Sequence, residues 1–325
     1  MTRKRRVGVI GSIVWDVIHG RQPNSVPVEE WGGISYGLAG LDAALSDDWE
    51  IVPIIKVGED LAHRATQFMR TFVRMAPDAA LISVPYPNNR VELRYIDDER
   101  RTEMMSGGVP GWTWLGLKPA LELARLDALY VNFLSGWEID IETAQLIRQH
   151  FAGPIYCDLH MLAWAIQPDG YRTLRPISNV REWCGSFDFL QVNEDEMTML
   201  APDPMALAAT ALHAGVRSLS VTMGKRGAVY FASPDFERLD DLDGHEAARN
   251  AFGPLRTALV PTEHVEAGDP TGCGDVWGAT QFSRLLAGDN LDAAILAAHR
   301  AAARNVSHRG ATGLADHLRG KISLT

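Results

Sequence analysis

The sequence predicts an α/β fold: a mainly parallel central sheet between two layers of helices, with a small β-lid attached. Three observations carry that expectation. Short apolar runs recur along the chain, bounded by Gly, Asp or Asn, and most are continuous rather than alternating, as strands buried on both faces are. Between them lie apolar residues at helical spacing. Two segments, about 13–35 and 86–114, break this rhythm.

Taken in order, the strand-like runs are 7–10, 51–57, 128–134, 154–157, 187–192, 219–222 and 228–231. Helical faces are formed by Leu61, Ala65, Phe68 and Phe72, by Ala144, Ile147 and Phe151, and by Met205, Ala208, Ala209 and Leu212. Strands that alternate with helices specify a parallel sheet covered on both sides, with ligands bound beyond the carboxyl ends of the strands. Segment 13–35 is rich in Pro, Gly and Trp. In segment 86–114, Val91-Glu-Leu-Arg-Tyr-Ile and Arg101-Thr-Glu-Met-Met flank the charged turn Asp97-Asp-Glu-Arg100, which is a β-hairpin pattern. Together the two segments would form the lid. The polar stretch 233–264 reads as a surface insertion with a short helix near 245–250. Residues 1–325 are read as one domain.

The chain of 325 residues carries 31 Lys+Arg against 41 Asp+Glu, a net charge of −10. An acidic balance excludes non-specific binding to nucleic acid or anionic lipid, which needs basic surface. Cys157, Cys184 and Cys273 form no C-x-x-C pair, have no His at zinc spacing and cannot complete a disulfide framework. A reducing compartment follows, and the expected location is cytoplasmic. No apolar stretch approaches the ~20 residues of a membrane span. Arg3-Lys-Arg-Arg6 precedes an apolar run, but that run contains Gly8 and Gly11 and stops at Trp15-Asp16. It is read as a first strand, not a secretory segment.

The strongest local feature is Gly268-Asp-Pro-Thr-Gly-Cys-Gly-Asp275, followed by a helical pattern at Val276, Ala279, Phe282, Leu285 and Leu286 and by Gly288 at a helix stop. Gly272 and Gly274 let a ligand approach the backbone. The amides of residues 272–274 at a helix N-terminus make an anion hole suited to phosphate. Asp275 beside them can take a proton from a substrate hydroxyl. A plain Gly-rich helix start, with Asp275 favoured by the helix dipole, fits the same residues. Asn193 and Glu196 share a face at another helix start, and read equally as a metal-supporting pair or a capping box. Thr222-Met-Gly-Lys-Arg-Gly227 reads locally as a tight hairpin. No G-x-x-x-x-G-K-[ST] loop occurs, nor G-x-G-x-x-G after the first strand, which disfavours a P-loop NTPase and a dinucleotide dehydrogenase.

The 268–275 motif resembles the signature of the ribokinase-like (PfkB) carbohydrate kinase family, D-T-x-G-A-G-D, with Pro270 at the first Thr and Cys273 at the Ala. The resemblance extends in order over nearly the whole chain: V-I-G-S with Asp16, Gly32-Gly33, Lys56-Val-Gly-Glu-Asp60, N-x-x-E, T-x-G-x-x-G, and a late helix ending in Gly310-Ala311. It implies a ribokinase-like three-layer α/β/α domain and ATP- and Mg²⁺-dependent phosphorylation of a small sugar or sugar derivative. Asp275 matches the catalytic base, and Gly272, Cys273 and Gly274 match the anion hole. A helix N-terminus could lower the Cys273 pKa, although the family position takes no covalent part. Glu196 takes a metal role with Asn193 in support. Thr222, Gly224 and Gly227 border the nucleotide, as does Thr271. His299 stands near the adenine, or is a surface His. Gly310, Asp269 and Thr271 match a monovalent-cation site, which makes K⁺ a further candidate cofactor.

For the phosphoryl acceptor the matches are Asp16, Gly32 and Gly33. An Asp can accept two hydroxyls at once, or be an ordinary turn residue. Where the family has Asn in G-G-x-x-x-N this chain has Gly37, so a sugar contact is lost or replaced. His160, in Asp158-Leu-His-Met, stands where the family tends to have D-x-N. Trp15, Trp31, Trp112, Trp114 and Trp137 fall in or near the lid and pocket, as packing or as stacking faces. A homodimer through the lid is the expected assembly. A nucleoside kinase and a non-catalytic sugar binder on the same scaffold are the alternatives.

Overall fold

A computed structural model describes residues 3–19, 26–95, 101–239, 254–263 and 268–321. The chain enters through β1 (Arg5–Ile10) and leaves the main layer at once for the antiparallel pair β2 (Ile13–His19) and β3 (Val28–Gly33). The buried helix α1 (Ile34–Ala44) returns it to β4 (Trp49–Ile54), which lies parallel to β1. The apolar run 51–57 is two strands, because β5 (Lys56–Gly58) diverges after Ile55 and pairs instead with β6 (Ile82–Val84), with α2 (Ala62–Met69) between them. Phe72 is buried but lies beyond α2. The expected hairpin is β7 (Arg90–Tyr95) and β8 (Arg101–Ser106); its turn lies outside the described residues. β7 pairs with β2, so the lid is one four-stranded sheet in the order β3-β2-β7-β8.

The remaining chain alternates strand and helix. α3 (Trp114–Ala124), β9 (Ala128–Asn132), α4 (Ile141–His150) and β10 (Ile155–Asp158) come first. A short hairpin, β11 (Trp164–Ile166) and β12 (Arg172–Leu174), precedes α5 (Val180–Cys184), β13 (Phe189–Asn193), α6 (Glu194–Leu200), α7 (Pro204–Ala214) and β14 (Ser218–Thr222). β15 (Ala228–Ala232), β16 (Arg256–Val260), α8 (Cys273–Leu286), α9 (Leu291–Asn305) and α10 (Leu314–Leu318) close the chain. The central sheet runs β16-β15-β14-β13-β10-β9-β1-β4; it is parallel from β4 to β14, and β15 and β16 are antiparallel. Part of the expected surface insertion, Arg256–Val260, is therefore an edge strand. Its residues alternate between partly buried and exposed, so it lacks the continuous apolar run of a central strand. The helix expected near 245–250 lies outside the described residues.

Alternate strand residues feed two cores, giving the three-layer arrangement. Tyr130, Tyr156 and Phe189 stack on one face beneath Phe282 of α8. Leu129, Val131, Cys157 and Leu190 fill the other face, with residues of α4 and α7. Each such side chain contributes about 1.5–3 kcal/mol on burial. On α7 the buried face is Leu207, Ala208 and Ala211, and Met205 is 50% exposed, so the expected stripe is rotated. Because β9, β10, β13 and β14 are parallel, Asn132, Asp158, Asn193 and Thr222 all stand at the same edge of the sheet. Among the described residues no helix is long and apolar enough to cross a membrane.

Candidate active site

One cleft lies between that sheet edge and the lid, and Asp16, Gly33, Asp158, Glu196, Gly272 and Asp275 all line it. Gly272 is the N-cap of α8 at φ 75°, a left-handed conformation that favours glycine. The ring of Tyr36 packs so closely that a Cβ on Gly272 would lie 2.1 Å from its Cδ1. Asp275 follows in the first turn, and Asn132 at the end of β9 donates to its Oδ1 at 2.7 Å. Burial raises the Asp275 pKa, while His160 and Asn132 hold it down.

The expected three-amide hole is narrower than the motif suggests. The Cys273 N–H donates to Pro270 O at 3.1 Å, closing a turn. The amides of Gly272 and Gly274 have no protein acceptor among the described residues and are free for an anion. The Cys273 thiol turns away towards α9, where Asn305 Nδ2 donates to Sγ at 3.2 Å. Burial pushes its pKa up to about 11, opposite to the shift a helix N-terminus would give.

At the neighbouring strand ends, Asn193 and Glu196 form a complete capping box. Glu196 Oε2 accepts from the Asn193 N–H at 2.9 Å, and Oε1 from Asn193 Nδ2 at 2.7 Å. His160 Nδ1 lies 2.6 Å from the same Oε1. Burial alone would lower the His160 pKa, but Glu196, Asp158 and Asp275 overcome it and raise it to about 10. The Asp158 pKa is pushed up by burial, opposed by His160, and raised further by Glu196 and Asp275. Three carboxylates thus crowd one protein cation; among the described residues they form no group of three that could hold a metal ion directly, so a hard cation such as Mg²⁺ would be held largely through water. With both Glu196 oxygens engaged, that carboxylate would serve such an ion through water.

On the lid side, Asp16 folds over Gly32: a Cβ there would sit 1.9 Å from Asp16 Oδ2. Val91 and Leu93 of β7, Glu103 of β8 and Arg172 of β12 complete this half of the cleft. Arg172 Nη1 donates to Glu103 Oε2 at 3.2 Å.

Thr222, Gly224, Thr271 and Asn193 also line the cleft. Other expected residues do not. His299 is buried: its Nδ1 takes the Trp277 Nε1 hydrogen at 3.0 Å and its Nε2 lies 3.0 Å from Val260 O, so it offers a base no edge. Gly227 sits in the β14–β15 turn, with Val260 O 2.2 Å from its Cβ position. Gly37 lies within α1 against Tyr130. Gly310 backs onto Glu30 of the lid. None of the five Trp residues lines the cleft; Trp15 and Trp31 pack on the other side of the lid, against Arg64 and Phe68 of α2. Sequence reasoning missed Asn132, Arg172 and Glu103. Asn132 and Asp158 could have been found as the last residues of parallel strands. No local signal marks Arg172 or Glu103.

The architecture is that of the ribokinase-like α/β class. The ribokinase from Arabidopsis thaliana, complexed with ribose and ATP, superposes with a TM-score of 0.70 at 17% identity, over 100% of both chains. A nucleoside kinase from Burkholderia thailandensis in complex with inosine gives 0.67 at 16%, over 95% of this chain and 94% of that one. Residues 167–317 match the pfkB family carbohydrate kinase model. The ribokinase of Bacillus subtilis (strain 168) is 28% identical over 158 residues, 49% of this chain and 44% of that protein, so the alignment spans less than half of the curated relative. The resemblance read from the motifs therefore extends in sequence to the family model over residues 167–317 and in fold to ribokinase over the whole chain.

Proposed function

We propose that this chain is an ATP-dependent phosphotransferase acting on a hydroxyl of a small sugar or sugar derivative. The observation that carries the reading is Asp275, oriented by Asn132 beside two free glycine amides, in the same cleft as Asp16. Asp16 and Gly33 hold the acceptor. Asp275 takes the proton of the attacking hydroxyl as its oxygen bonds to the γ-phosphorus and the bond to the ADP oxygen breaks. The Gly272 and Gly274 amides meet the charge on the transferring phosphoryl. Thr222, Gly224 and Asn193 line the donor side, and Thr271 borders it. Mg²⁺ bound near Asp158 and Glu196 would neutralise phosphate charge. The lid excludes water, which limits ATP hydrolysis.

A nucleoside is the alternative acceptor, since Gly37 lacks the family's Asn. The test is ATP consumption against ribose, other neutral sugars, myo-inositol and inosine, with and without Mg²⁺ and K⁺. Asp275→Asn should cut turnover by roughly 10³-fold or more while leaving the melting temperature nearly unchanged. Near-normal turnover in that variant would remove Asp275 as the base. Sugar binding without turnover by the unaltered chain would favour a non-catalytic binder.

A further inference from the structure

The acceptor half of the cleft contains a charge pair that the motifs do not explain. Arg172 heads β12 in the hairpin that follows β10, and this hairpin reaches across to the lid: the Met105 N–H donates to Gly170 O at 3.1 Å, and Met104 bridges Tyr171. The Arg172 side chain is only 6% exposed. Nη1 donates to Glu103 Oε2, and Nη2 to Leu134 O at 3.1 Å and to Met105 Sδ. Its Nε is buried and has no hydrogen-bond partner among the described residues. A guanidinium N–H buried beside a cleft calls for an oxygen from what the cleft holds.

We propose that Arg172 and Glu103 are a specificity-determining pair that selects a neutral, hydroxyl-rich acceptor over its acidic counterpart. This rests on the reading of the cleft as an acceptor site. Among the described residues this half of the wall carries two carboxylates, Asp16 and Glu103, against one guanidinium. Hydroxyls of a neutral sugar or polyol donate to the carboxylates, and one of its oxygens accepts from Arg172 Nε. A sugar acid brings a third negative charge to a wall whose one cation is already paired.

The test measures calorimetric binding and steady-state kinetics of the full chain with ribose, myo-inositol and inosine as neutral probes and ribonate as the acidic one. ATP binding is followed throughout. The unaltered chain should prefer a neutral probe to ribonate, and Glu103→Gln should shift that preference towards ribonate by about tenfold or more. Arg172→Met should raise the acceptor KM about tenfold or more with the ATP KM unchanged. Arg172→Lys, which keeps the charge but lacks Nε, should show the same split and serves if Arg172→Met fails to fold. An unchanged preference in Glu103→Gln, or an equal loss of ATP and acceptor affinity in the Arg172 variants, overturns the proposal. A chain that binds ATP but none of the four probes also overturns it and leaves the donor half of the function standing. Loss of ATP binding by the unaltered chain would instead sink the proposed function.

Discussion

Asn132→Leu isolates the side chain that donates to Asp275 Oδ1. Leu keeps the branching and the number of side-chain heavy atoms of Asn but donates nothing, so the 2.7 Å hydrogen bond to Asp275 Oδ1 disappears. A hydrogen bond to a charged group is worth about 1.5–3 kcal/mol, and tenfold in rate is about 1.4 kcal/mol, so turnover should fall roughly 10- to 100-fold. The pH profile gives a second readout. Burial already raises the Asp275 pKa, and Asn132 is one of the groups holding it down. A base works only when ionised, so activity falls as pH drops through its pKa. Removing the donor raises that pKa further, and the acid limb of kcat/KM should move to higher pH. Asn132 Oδ1 is buried without a partner among the described residues, so its removal offsets part of the cost of leaving Asp275 without its donor. The assay is coupled ADP release across pH, with thermal melting as control. An acid limb that stays in place, with unaltered turnover, would refute the orienting role.

Two further outcomes follow from the start of α8. Gly272→Ala places a Cβ 2.1 Å from Tyr36 Cδ1 on a residue at φ 75°. The left-handed conformation alone costs an L-residue roughly 1–2 kcal/mol, so urea unfolding should show at least that loss, together with loss of turnover as the Gly272 amide shifts. Cys273 should resist alkylation. With its thiol pushed from 9.0 to about 11, the thiolate at pH 8 is roughly 100-fold scarcer than for an unperturbed thiol. The rate should climb until pH passes about 11, and fast labelling at pH 8 would contradict the burial argument.

Much of the fold was legible because it is encoded locally. Continuous apolar runs marked the buried parallel strands, and the break in rhythm at 13–35 and 86–114 marked the lid sheet. Edge strand β16 escaped because its residues alternate between partly buried and exposed and so lack a continuous apolar run. The ambiguity at Asn193 and Glu196 resolved into a capping box whose carboxylate also meets His160, 36 residues away.

The sequence by itself determined the α/β class and the glycines and aspartate at the start of α8. These depend on neighbours within a turn or a strand, where spacing dictates geometry. The tertiary structure alone decided that Asn132 reaches Asp275 across 143 residues and that Arg172 meets Glu103 across 69. It also decided that the amide of Cys273 closes a turn and that His299 belongs to the core. Such contacts are set by how the sheet, lid and hairpin pack, and burial then fixes the charge each group can carry.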